Sequence, residues 1–194
     1  MRIRLRDKKG FTMIELLIVV AIIAVTAAVA IPNIISWIPT IRVNSAARDL
    51  VSEMQLARMK AVSERNNYVI TFDTSTNQYS IYDDGDNDGA EASELVKTVD
   101  VDTDYSGIQF GYVAGKNPSN DDITGSVQFG ATSSPIRETF IPNGTANLMG
   151  SVYLIPTEDI AGSRRDRQRA ITVILTGRIK LWKYDAGGSP GPWK

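Results

Sequence analysis

The chain has 194 residues, 43% of them apolar and 22% charged, with neither cysteine nor histidine; that length suits one globular domain plus an appendage. The two absent residue types exclude disulfides, thiolate or histidine zinc sites, and any Ser-His-Asp or Cys-His nucleophile. The formal charge of -1 conceals blocks: residues 1–10 hold five bases and one acid, residues 11–31 only Glu15, residues 32–163 hold 8 bases and 18 acids, and residues 164–194 hold 8 and 2. Such asymmetry bears on orientation and partners rather than on fold. The stretch "GYVAGK" at 111–116 has neither the spacing of a phosphate loop nor the hydroxyl residue after its lysine. The chain therefore reads as a protein without catalytic chemistry.

Residues 11–31 form an apolar run, about 31 Å long as a helix at roughly 1.5 Å rise per residue, enough to cross a bilayer core. Arg2, Arg4, Arg6, Lys8 and Lys9 precede it, a bias that keeps the N-terminus cytoplasmic and sends the rest of the chain outward. Two plainer readings are a simple anchor and a secretory signal peptide, for which Ala28-Val29-Ala30 offers a cleavage site. Signal peptides, however, have shorter apolar regions of about 7–15 residues. Glu15 fits neither, because an acid in a span costs up to roughly 2.5–3.5 kcal/mol at the centre and wants a partner. Cleavage between Gly10 and Phe11 would supply one: the new α-amino group of Phe11 lies one helical turn from the Glu15 carboxylate, or reaches that of a neighbouring copy. Gly10 gives the small, flexible peptide that a cleaving site can grip.

The run Gly10-Phe11-Thr12-Met13-Ile14-Glu15-Leu16 ahead of a long apolar helix resembles the prepilin cleavage site of the type IV pilin superfamily. The resemblance implies removal of leader residues 1–10 by a prepilin peptidase and N-methylation of Phe11. It also gives Glu15 a role in registering each subunit in a filament. Pro32 falls where pilins carry a helix-loosening proline. In this reading residues 11–31 are the transmembrane and filament-core helix, residues 32–66 its amphipathic continuation, and residues 67–194 a periplasmic β domain. The implied localisation is the bacterial inner membrane, single-pass, and then the filament.

Beyond Pro32 the amphipathic stripe Ala47, Leu50, Val51, Met54, Ala57, Ala61 and Val62 recurs at three- and four-residue steps, the spacing of a helix face packed on a sheet. Asn66-Asn67 ends it. The period then shifts towards two, and strands are expected at 68–73, 78–83, 95–101, 107–113, 125–130, 136–141, 150–155, 170–175 and 178–184, with turns at Asn77, Asn143-Gly144 and Thr176-Gly177. No helix is expected between consecutive strands, so the sheet should be mostly antiparallel. The fold class is α+β, a long N-terminal helix packed on antiparallel strands. The segments "LARMKAVSERNNYVITFD" (56–73), "FIPNGTANLMGSVYLI" (140–155) and "AITVILTGRIKLW" (170–182), in that order, are similar to the GspH/FimT-type minor pilins and pseudopilins. This pilin-fold resemblance implies a structural subunit, not an enzyme, whose partners are other pilins or pseudopilins of a type IV pilus or a type II secretion system, in the priming or tip complex.

Two further features carry weight. In "YDDGDNDGAEASEL" (82–95) Asp84, Asp86 and Asp88 alternate ahead of Gly89, the opening of a calcium loop, but Leu95 holds the twelfth position with Glu94 one residue early. Calcium at these acids stands beside the plainer reading, a hairpin tip built of turn formers; no other cofactor is expected. Near the C-terminus Arg164, Arg165, Arg167 and Arg169 form a run expected in a loop. Arg178, Lys180, Trp182 and Tyr184 alternate along the last strand, with Ile179 and Leu181 facing the core. Cations beside aromatic rings suit sequence-indifferent nucleic-acid binding, and Gly177-Arg178-Ile179-Lys180 resembles the Gly-Arg-x-Arg motif of DNA-uptake pilins, with lysine at the second cation. The alternatives are a solvated basic face or one that meets an acidic partner pilin.

Overall fold

A threonine opens the long helix. Thr12 Oγ1 accepts the Glu15 N–H at 3.3 Å, and Glu15 Oε2 accepts the Thr12 N–H at 3.1 Å and the Thr12 hydroxyl at 3.0 Å, a reciprocal capping box that satisfies free amides of the first turn. The structure, a computed structural model, describes residues 10–130, 135–185 and 192–194; leader residues 1–9 lie outside them. Helix α1 (Met13–Glu64) follows and continues through both Pro32 and Pro39, each of which removes one amide donor from the helical ladder. The chain divides into two units between Ile38 and Pro39. In the first, the apolar side chains are exposed on every face of the helix, including Leu16, Val20, Ile23 and Ile34. It is the one helix among the described residues that is long and apolar enough to cross a membrane.

The second unit begins within α1 and holds every strand. Strands β1 (Asn67–Asp73), β2 (Gln78–Asp84), β3 (Leu95–Asp100) and β6 (Ile136–Phe140) form one sheet in the order β3-β2-β1-β6. Strands β4 (Ile108–Phe110), β7 (Gly150–Pro156), β8 (Arg169–Val173) and β9 (Ile179–Lys183) form a second in that order, and β5 (Val127–Gln128) also pairs with β7. All these pairings are antiparallel. All nine expected strands are present, in two sheets rather than one. Two single turns correct the expectation that no helix separates consecutive strands: α2 (Val101–Asp104) and α3 (Thr157–Ala161). Val101, expected to end a strand, begins α2 because Asp100 accepts the Thr103 N–H and caps the turn.

The buried seam of α1 is Val43, Ala46, Ala47, Leu50, Met54, Ala57 and Ala61. Val51 is half-buried and Val62 half-exposed at 50%, so Val62 leaves the expected stripe while Val43 and Ala46 join it. The seam meets an aromatic core in which Phe72 lies 5.8 Å from both Phe110 and Phe129. Burial of side chains of this size contributes about 1.5–3 kcal/mol each. A smaller cluster of Ile123, Tyr153, Ala170 and Trp193, joined by the half-buried Tyr112, Trp182 and Tyr184, is separate from that core.

Arg58 fastens two turns to the helix. Its Nε donates to the Gly144 carbonyl at 2.7 Å and its Nη2 to the Thr176 carbonyl at 3.3 Å. Gly144 and Gly177 both sit at left-handed φ, 79° and 73°, which glycine adopts freely. A Cβ on Gly177 would overlap the Gly144 carbonyl and crowd the Arg58 guanidinium. Gly177→Ala therefore meets both a strained backbone and a clash, and should cost about 2 kcal/mol or more, about 4–8 °C in Tm for a chain of this size. Thermal unfolding followed by circular dichroism measures this, and an unchanged Tm would contradict the packing described.

Candidate functional site

The N-terminal motif is built by the capping box. Glu15 has a partner within its own chain, contrary to the bare sequence reading: its Oε2 is held by Thr12. Its Oε1 makes no hydrogen bond among the described residues, and the residue is exposed. Gly10 and Phe11 are both exposed ahead of the helix, and nothing in the structure meets a Cβ built on Gly10.

The basic end of the domain is more ordered than expected. Of the four-arginine run only Arg164 is exposed and Arg165 half-buried. Arg167 is buried and paired with Asp159 and Glu158 of α3. Arg169 belongs to β8, where it is 2% exposed, donates from Nε to Asn44 Oδ1 at 2.7 Å, and reaches the Asp166 and Gln168 carbonyls. Burial pulls its pKa below the ordinary value. These two guanidiniums tie α3, β8 and α1 together and are not free to meet a partner.

The expected cation–aromatic face is only partly open. Arg178 is exposed in the turn ahead of β9 rather than inside the strand. Lys180 Nζ sits 3.2 Å from the centre of the Trp182 ring, and Trp182 Nε1 donates to Thr172 Oγ1 at 2.9 Å. Tyr184 packs edge-on against Trp193 at 5.2 Å, and Trp193 Nε1 donates to the Lys116 carbonyl. Trp182 therefore has one ring face covered by a cation and its only donor satisfied, and Tyr184 is half-buried against Trp193. As a stacking platform for bases the face is largely occupied. Ile179 and Leu181 pack against the main core, as expected.

The acids of the β2–β3 connection do converge. One carboxylate oxygen from each of Asp84, Asp86, Asp88 and Glu94 lies within 4.8 Å of the others, so the residue displaced from the twelfth position joins the cluster after all. The sequence missed Glu94 because the single 3-10 turn Ala92–Glu94 brings it back. Hard oxygen donors in this number suit a calcium ion in kind. Asp84 is buried and accepts the Gly89 N–H, so one of the four already serves the loop itself. Partial desolvation and then the charges of Asp86 and Glu91 raise the pKa of Asp88 above its ordinary value.

Residues 5–31 match the prokaryotic N-terminal methylation motif, and residues 46–177 match the family described as type II transport protein GspH. The chain belongs to the GspH family. A fimbrial protein of Pseudomonas aeruginosa is 38% identical over 77 residues, 40% of this chain and 49% of that protein. The type IV wide pilus major component PilA4 of Thermus thermophilus is 66% identical over 32 residues, 16% of this chain and 24% of that protein. The chain thus spans about half the length, or less, of the curated relatives it matches. Among solved structures, the type IV minor pilin FimU of Pseudomonas aeruginosa aligns at TM-score 0.46 and 21% identity, covering 72% of this chain and 87% of its own. The minor pseudopilin EpsH of Vibrio cholerae aligns at 0.49 and 11%, covering 73% and 97%. None of these names speaks for nucleic-acid binding.

A buried acid lies apart from all these surfaces. Glu138 in β6 is 1% exposed; its Oε1 accepts the Thr139 and Leu148 amides, and its Oε2 has no partner. Burial pushes its pKa up from 4.5 to about 7, against the backbone donors that favour its charge. The folded state then holds this proton where the unfolded state has lost it. The stabilisation is complete below the unfolded value of 4.5 and is lost as pH rises to about 7. Glu138→Gln should remove that part of the fall in Tm between those limits and raise Tm above pH 7 by several degrees. A parallel pH profile for variant and parent would refute the assignment.

Proposed function

We propose that this chain is a minor pilin or pseudopilin: a structural subunit made as a membrane-inserted precursor and processed for assembly into a filament. The leader's bases hold the N-terminus on the cytoplasmic side of the inner membrane, and residues 11–31 span it. A prepilin peptidase hydrolyses the Gly10–Phe11 amide, water supplying the carboxylate oxygen to Gly10 and the proton to the new amine of Phe11. A sulfonium methyl donor then transfers a methyl group to that amine, which releases a proton. The filament is a type IV pilus or a type II secretion pseudopilus, and the subunit serves in its priming or tip complex with other pilins.

The observation that carries this reading is the N-terminal turn. Its capping box fixes Glu15 through Oε2 and leaves Oε1 free, on a helix whose apolar side chains are exposed on every face. Exposed apolar surface of that extent calls for lipid or for neighbouring helices. In this reading the Oε1 oxygen accepts the ammonium group that processing creates, on the same chain or on the adjacent copy.

Glu15→Ala should leave cleavage intact and exclude the subunit from the sheared filament fraction, detected by immunoblot. Glu15→Gln, which keeps the hydrogen bond to Thr12 but loses the charge, should be excluded as well. Normal incorporation of either variant would refute the role assigned to the carboxylate.

A further inference from the structure

Two surfaces of opposite charge belong to different sheets of the domain. The first is a cleft of about 190 Å³ lined by Pro118, Ser119, Thr172, Arg178, Lys180 and Trp182. Its wall is set in advance, since Lys180 rests on the Trp182 ring and Trp182 is held by Thr172. Neither Arg178 nor Lys180 enters an ion pair among the described residues.

The second is the β2–β3 connection, where residues 83–94 hold six carboxylates and no base. Asp86, Asp88 and Glu91 are exposed at its tip. Arg137 comes near the loop at Gly89, yet no ion pair among the described residues neutralises any of its acids. A loop of this kind gains from any cation placed against it.

We propose that the acidic 83–94 loop of one copy docks into the Arg178–Lys180–Trp182 cleft of a second copy. This inference rests on the filament reading above. The Arg178 guanidinium can take a carboxylate through two parallel hydrogen bonds, and Lys180 meets a second as a point charge. Because the two surfaces differ, the contact is head-to-tail and leaves a free loop at one end and a free cleft at the other, where the other pilins of the complex can join. A divalent ion among the four clustered carboxylates would offset the same charge, so ion and cleft compete for the loop.

The chain has no cysteine of its own, which makes thiol cross-linking specific. Full-length Ser119→Cys and Glu91→Cys variants, differently tagged and co-expressed, are oxidised in membranes. A mixed disulfide dimer is expected only when both are present. Adding Arg178→Glu and Lys180→Glu to the Ser119→Cys chain should lower its yield about tenfold, and placing Asp86→Lys and Asp88→Lys in the partner should restore it. Such rescue shows that the charge reversal left the fold intact. No mixed dimer, or a yield indifferent to charge reversal, would overturn the docking. A DNA mobility shift at low salt that is lost in Arg178→Ala would overturn it too, by giving the cleft to nucleic acid. A missing dimer in cells where Glu15-dependent filament incorporation persists sinks the docking alone, whereas loss of both sinks the filament reading with it.

Discussion

Small residues set how closely α1 approaches the sheets. Ala46, Ala47, Ala57 and Ala61 flank Leu50 and Met54 along the buried seam, and a side chain beside the seam reaches across to the strands. Arg58 does so, taking one carbonyl from the β6–β7 loop and one from the β8–β9 turn. Asn44 does so at the other end, receiving the buried Arg169 of β8. A larger residue at Ala57 would push the helix outward and lengthen the Arg58 contacts with it. The position of the cleft beside β9 depends on that clasp, because Gly177 and Arg178 continue directly from the carbonyl that Arg58 holds.

The domain treats its charges in two ways. Those inside are satisfied by fixed partners: Arg167 by Asp159 and Glu158, Arg169 by carbonyls and Asn44. Breaking the buried Arg167 pair would leave an uncompensated charge inside the domain. Those outside stay segregated by sign, acids on the β2–β3 connection and cations beside β9. That segregation keeps the surfaces from satisfying one another within the chain. Glu138 belongs to neither group, since it is buried without an ion-pair partner among the described residues and holds its proton up to about pH 7.

Much of this was legible in the sequence where local chemistry decides the structure. Asn77, Gly144 and Gly177 adopt the left-handed φ their turns need, and that is why the strand limits fall close to the expected ones. The motif around Ala57-Arg58, the turn at Asn143-Gly144 and the turn at Thr176-Gly177 were visible separately; their meeting at one guanidinium was not, because hydrogen bonds across 86 and 118 residues leave no local mark. The burial of Arg167 and Arg169 was hidden for the same reason, and a run of four arginines reads as solvated until its partners are known. The Thr12-x-x-Glu15 spacing was legible as a capping box as well as a processing motif, and only the second meaning was drawn from it. The role of Trp193 has no local mark, since it depends on Tyr184 and Tyr153, not on its neighbours in sequence.

The reading stands or falls on whether the exposed Gly10–Phe11 junction is cut, which frees an amine for Glu15. Mass spectrometry of the N-terminal peptide from the chain recovered out of membranes and sheared filaments tests it most directly. One N-terminus, N-methylated Phe11, is expected in both fractions. A chain beginning at Met1, or one cut after Ala30 and so stripped of the apolar helix, would contradict it.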